Sequence, residues 1–218
     1  MKRNKRQEVS HIGDRIETAS RYITKTTTLL DVGCGTGLLY FLIKNKVKYV
    51  YGIDNSVKDL KIAQRRGVKS EYCDINKNKF PFIDNFFDVV TCLDVVEHIE
   101  NPELLLGEIR RVCKKNGLLI IATPNIRFTD HLFELIFKGK FPKTSIDKNI
   151  YDGGHRHFFT FSDIENILIQ NKFKIITKDG IINKRKRGWK GQIAELFLGK
   201  TFMREFRSQG ILVVAQKI

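Results

Sequence analysis

The run Leu29-Leu30-Asp31-Val32-Gly33-Cys34-Gly35-Thr36-Gly37 constrains this chain more than any other stretch. Leu29 to Val32, apolar apart from Asp31, suits a buried parallel strand. Gly33, Gly35 and Gly37 let the backbone turn sharply and pass within contact distance of a ligand. A helix is expected to begin near Gly37 with Thr36 as its cap, its free N–H groups facing a carboxylate or phosphate. The spacing departs from two familiar glycine loops. The dinucleotide fingerprint places its third glycine one residue later, and a phosphate loop needs Lys-Ser/Thr where this chain has Leu38.

A second feature narrows the reading. Residues 48–53 read as another strand, and Asp54 stands at its carboxyl end, 17 residues after Gly37. A carboxylate there can accept two hydrogen bonds from a ribose diol. LLDVGCGTG and YGID together resemble motifs I and II of the class I S-adenosylmethionine (SAM)-dependent methyltransferases. The resemblance implies a cofactor site built from Asp31, Gly33, Cys34, Gly35, Thr36, Gly37, Asp54 and Asn55. It also implies that Asp74 binds the adenine amino group, that Ile75 packs on the ring, and that the Leu93 backbone lines the methionine end. From the residues alone, Asp74 also reads as a turn acid, the less favoured of the two readings.

Strand and helix signals alternate along the rest of the chain, which implies an α/β doubly wound sheet. In the resembling family this is a Rossmann-like, mostly parallel seven-stranded sheet whose last strand is antiparallel. Val9, Ile12, Ile16, Ala19 and Ile23 predict an amphipathic N-terminal helix. A helix over 56–66 ends at Gly67, strands cover 68–73 and 86–93, and Asn101-Pro102-Glu103 starts a helix to about Lys115 that Gly117 stops. A strand follows over 118–122, Ser162 to Glu165 reads as a capping box, and strands cover 173–177 and 211–215. The expected organisation is one domain over 1–218, with a basic segment and helix at 1–27. Insertions at 124–158 and 180–209 would form a lid and substrate wall.

Nothing in the sequence is apolar enough over a long enough run to span a bilayer or form a signal-peptide core, so a cytoplasmic enzyme is expected. Cys34, Cys73, Cys92 and Cys113 form no C-x-x-C pair and read as buried thiols rather than zinc ligands. The net charge is +15, much of it in residues 2–6 and in Lys184 to Arg187 with Lys190. Such clusters fit either an anionic partner or a solvated lysine-rich surface.

Candidate chemistry falls in two places. Asp94, Glu97 and His98 would share one face of a helical turn. They could hold a divalent ion, supply a proton acceptor through Glu97 or His98, or form a hydrogen-bonded structural trio; metal is not the favoured reading. Their context, DVVEHI before Asn101-Pro102, resembles the ubiquinone-pathway O-methyltransferases, and the Asn/Asp-Pro-Pro-Tyr/Phe motif of nitrogen methylases is absent. The other place is Gly153 to Thr160, where His155 and His157 beside aromatic residues suit a base in an apolar-walled pocket, or a capping loop with exposed histidines. Arg156 could pair an anionic substrate group. Thr123-Pro124-Asn125 and the aromatic-histidine segment also resemble W-type proteins of methionine biosynthesis.

These features predict a SAM-dependent methyltransferase acting at oxygen on a small molecule, and the basic stretches suit an anionic one. Nucleic acid or an anionic membrane surface ranks lower as a partner. The alternatives are RNA methylation and a non-catalytic SAM-binding partner of a biosynthetic enzyme.

Overall fold

Seven strands form one sheet: β1 (Thr26–Val32), β2 (Val47–Asp54), β3 (Lys69–Tyr72), β4 (Phe87–Leu93), β5 (Cys113–Pro124), β6 (Phe173–Ile181) and β7 (Gly210–Lys217). Their order across the sheet is β3-β2-β1-β4-β5-β7-β6. The β2–β3, β1–β2, β1–β4 and β4–β5 pairs are parallel, and β7 runs antiparallel to both its neighbours. The computed structural model describes residues 13–145, 152–182, 199, 201–202 and 204–218. The basic stretch Lys184 to Lys190, the apolar group from Ile193 to Leu198, and residues 1–12 with Val9 and Ile12 lie outside the described residues.

Strand side chains alternate between two cores, as a pleated sheet covered on both faces requires. Leu30, Val32, Val90, Cys92, Leu119, Ile121, Val213 and Ala215 face one of them, together with helices α4 (Pro102–Val112) and α6 (Phe161–Gln170). Leu29, Val50, Val89, Ile120, Leu212 and Val214 face the other, together with α1 (Asp14–Tyr22), α2 (Leu38–Ile43) and α3 (Val57–Arg66). Helix α5 (Thr129–Lys138) contributes no buried residue. All four cysteines are buried free thiols. Among the described residues, no helix is long and apolar enough to cross a membrane.

Several local expectations shift. Thr36 does not cap α2. Gly37 holds the N-cap position at φ 75°, while the Thr36 hydroxyl and carbonyl accept hydrogen bonds from Arg66. Helix α4 ends at Val112, so Lys114 and Lys115 belong to β5 rather than to its last turn. Gly117 lies within β5, where a Cβ would come within 2.9 Å of the Lys114 carbonyl and 3.1 Å of the Asp88 carbonyl. Close backbone approach, not helix termination, explains that glycine. Thr160 rather than Ser162 caps α6 in a reciprocal box with Asp163. Burial of Phe161 draws the helix start two residues earlier. β6 extends to Ile181, which moves the start of the second insertion to 182, β7 starts at Gly210, and α5 occupies part of the first insertion.

Candidate active site

Strand order reverses between β1 and β4, and ligands of open α/β sheets bind beyond the carboxyl ends at such a point. The glycine turn leaves β1 there. Gly33 and Cys34 N–H groups donate to the Ile53 carbonyl at 2.8 and 3.0 Å, pinning the turn to the end of β2. Gly33 has φ 70°, and a Cβ on it would lie 2.3 Å from the Val95 side chain, so only glycine fits. Asp54 accepts from the Gly35 N–H and the Ser56 N–H, both at 2.8 Å. Two amides hold the carboxylate in place while its remaining lone pairs stay available to a diol.

Three cavities meet at this edge. One of about 330 Å³ is lined by Gly33, Asp54, Asn55, Asp74, Ile75 and His98 among others. Another of about 200 Å³ is lined by Asp31, Gly33, Cys34, Gly35, Thr36 and Leu93. Every residue expected to contact the cofactor therefore lines one of these two, except Gly37. That glycine packs against α3, where a Cβ would lie 3.2 Å from the Ala63 Cα. Asp31 is buried beneath the smaller cavity, and its carboxylate accepts from Thr91 Oγ1 at 2.7 Å. Burial, opposed by that hydrogen bond, pushes its pKa up to about 7. The third cavity is larger, about 680 Å³, and its wall includes Arg15, Glu97, Phe128, His131, Lys143 and His155. Asp94 borders all three.

Glu97, His98 and His155 form the polar cluster where the first and third cavities adjoin. Their candidate ligand atoms lie within 4.8 Å of one another, so the trio could hold a metal ion. The His98 and His155 rings meet edge to face with centroids 4.6 Å apart. Glu97 is buried. Thr123 Oγ1 donates to its Oε2 at 3.0 Å, while Oε1 has no hydrogen-bond partner. Burial, and then the Asp94 charge, raise the Glu97 pKa to about 7. His155 Nδ1 lies 2.6 Å from Thr144 Oγ1 and 3.4 Å from Asp152, whose carboxylate also accepts from the Thr144 and Ser145 N–H groups. Burial and the neighbouring His98 lower the His155 pKa.

Two expectations about this cluster change. Asp94 does not share a helical face with Glu97 and His98. It sits at φ 56° ahead of the 3₁₀ turn Val96–His98, and its carboxylate accepts from Arg15. His157 is not brought to the cavities. Its Nε2 lies 2.9 Å from the Ile99 carbonyl and its ring stacks on Phe159 at 5.8 Å. The backbone N–H groups of Arg156 and His157 both donate to the Glu97 carbonyl. Arg156 pairs with Glu100 at the surface. Arg15, His131 and the Thr144–Asp152 clasp escaped the sequence reading, and Thr123 stood there only as part of a family motif. A hydroxyl or lone cation without a motif gives no signal before the chain is folded.

The comparisons with known proteins agree with this geometry. Residues 30–121 match the family described as a methyltransferase domain. The chain is 30% identical over 187 residues to a ubiquinone biosynthesis O-methyltransferase of Rickettsia prowazekii, covering 84% of this chain and 72% of that protein. This chain belongs to the class I SAM-dependent methyltransferases. The methyltransferase also resembles a solved SAM-dependent methyltransferase of Mesorhizobium loti, with TM-score 0.67 and 18% identity over 94% of this chain and 98% of the other. The [4+2]-cyclase SpnF superposes with TM-score 0.63 and 19% identity, covering 94% of this chain and 81% of its own. Likeness at that level shows the fold alone. SAM is the cofactor of this methyltransferase. The two smaller cavities fit it: they share Gly33, and they offer a diol acceptor on one side and a buried carboxylate on the other.

Proposed function

We propose that this methyltransferase methylates a hydroxyl oxygen of a small molecule held in the large cavity. The observation that carries the reading is the position of Glu97, His98 and His155 between the cavity that Asp54 and Asp74 line and a larger one. SAM supplies an electrophilic methyl group, so the chain has to orient the acceptor and remove its proton. His155, neutral at pH 7 because burial and His98 lower its pKa, suits the proton acceptor, with His98 beside it. Asp54 and Asn55 would bind the ribose, Asp74 and Ile75 the adenine, and Asp31 and Leu93 the methionine end. The relative named as a ubiquinone biosynthesis O-methyltransferase supports oxygen as the accepting atom. Transfer of labelled methyl from SAM to a panel of phenols and catechols, with total RNA in parallel, tests the reading. Product spectra should place the methyl on oxygen. Label in RNA, or on nitrogen or carbon, overturns it.

The unpartnered, buried Glu97 Oε1 favours a second reading for the same cluster. Glu97, His98 and His155 would hold a divalent ion, which would lower the pKa of a bound hydroxyl. Loss of turnover in chelator and its return with magnesium would distinguish this from base catalysis by imidazole alone.

A further inference from the structure

Asp152, Thr144 and His155 form a continuous polar chain that ends at the wall of the large cavity. Thr144 Oγ1 lies 2.6 Å from Asp152 Oδ2 and 2.6 Å from His155 Nδ1. Asp152 Oδ2 also accepts from the Thr144 N–H at 2.9 Å, and Oδ1 accepts from the Ser145 N–H at 2.7 Å. The His155 N–H donates to the Asp152 carbonyl at 3.2 Å. The Asp152 and His155 side chains are only 8% and 7% exposed, so water does not compete for these bonds. Asp152, Gly153 and Gly154 reach φ 52°, 66° and 84°, three successive residues in the left-handed region. Backbone of that kind persists where its surroundings over-determine it, and it gathers at active sites.

We propose that Asp152 and Thr144 are positioning residues that hold His155 with its proton on Nδ1 and leave Nε2 as the basic nitrogen. The assignment rests on His155 being the proton acceptor proposed above. Counting hydrogens selects the tautomer. A threonine hydroxyl has one proton to give and lone pairs with which to accept. Both Asp152 oxygens already accept from amides, so the carboxylate is an acceptor here and the hydroxyl proton goes to Oδ2. Thr144 Oγ1 can then only accept from the ring, which places the ring proton on Nδ1. The reverse assignment would set the lone pairs of two oxygens against each other at 2.6 Å. A free histidine favours the opposite tautomer, whose Nε2 carries the proton and can take none. In the reaction Nε2 takes the acceptor's hydroxyl proton as the oxygen–methyl bond forms. The sulfur–methyl bond breaks, and sulfur keeps the electron pair. The resulting imidazolium has a proton on each nitrogen and returns the Nε2 proton to solvent. Thr144 and Asp152 transfer none. The carboxylate, with Oδ2 3.4 Å from Nδ1, stabilises the charged ring.

Proton–nitrogen NMR of the imidazole rings reads the tautomer directly. The sample is metal-free protein saturated with S-adenosylhomocysteine at mildly alkaline pH, and His155 is assigned by its loss in His155→Gln. In the parental protein Nδ1 should be pyrrole-like and Nε2 pyridine-like. Thr144→Val should move the ring toward the Nε2-protonated form, and Thr144→Ser should restore the parental spectrum. With an acceptor from the phenol panel, Thr144→Val should lower kcat about tenfold or more while SAM affinity stays unchanged. Adding Asp152→Asn to Thr144→Val should cost nothing further, since the two residues act through one chain. An Nε2-protonated His155 in the parental protein overturns the proposal. So does a tautomer that Thr144→Val leaves unmoved, or a multiplicative loss in the double variant. Parental turnover in His155→Ala overturns the base reading and with it the catalytic purpose of the hold, whereas the spectra test the hold alone.

Discussion

Arg15 on α1 donates to the Asp94 carboxylate at 2.5 Å, joining the N-terminal helix to the residue that follows β4 and borders all three cavities. The side chains are 26% and 40% exposed, so the pair contributes at most about 1 kcal/mol to stability. Its larger effect is geometric, because it draws α1 over the meeting point of the cavities. Arg15→Ala should therefore leave the urea midpoint nearly unchanged and lower turnover at least tenfold in steady-state assays. Turnover at the parental rate would reduce the pair to a surface contact.

Asp54→Ala removes the carboxylate that holds the Gly35 and Ser56 amides and faces the first cavity. Loss of a hydrogen bond to a charged group costs about 1.5–3 kcal/mol, so SAM should bind roughly tenfold or more weakly by calorimetry. Asp54→Asn, which keeps an acceptor oxygen for one amide, should fall between mutant and parent. Equal affinity in all three proteins would place the ribose elsewhere.

His98→Ala and His155→Ala should each leave SAM affinity nearly intact and reduce turnover by about 10²–10⁴-fold, the usual contribution of a general base. His157→Ala should behave differently. Its ring is committed to the Ile99 carbonyl and to Phe159, so the expected loss is about 0.5–1.5 kcal/mol of stability with SAM binding unaffected. Because the His155 pKa is lowered, the rate should fall on acidification only below the range of a free imidazole. A pH profile that breaks at or above that range would exclude His155 as the base.

Asp31 should make the ligand-free protein less stable as pH rises. Its pKa is about 7 folded against 3.8 for an exposed aspartate, chiefly from burial. Between those values the folded state keeps a proton that the unfolded state has released, so stability declines through that window. Above it the full cost, about 4 kcal/mol, is present. Asp31→Asn should flatten the decline in urea titrations from pH 4 to pH 8. An unchanged slope would show that another group carries it.

The glycine turn and Asp54 were legible in the sequence because their requirements are local. A strand, a turn forced through positive φ and an acid at the next strand end occupy short windows, and β1, β2 and the two smaller cavities beside them follow. Strand and helix alternation likewise determined the class of fold, since covering both faces of a parallel sheet leaves few arrangements. The second half of the site was decided by packing across distance. Glu97 meets Thr123 from another strand, His155 meets His98 across the first insertion, and Arg15 reaches Asp94 over 79 residues. Spacing along the chain put Asp94 on the face of Glu97 and gave His157 the same standing as His155. Tertiary structure separated them, because Asp94 takes a left-handed conformation ahead of the 3₁₀ turn, and the His155 ring meets Thr144 and His98 while the His157 ring meets the Ile99 carbonyl.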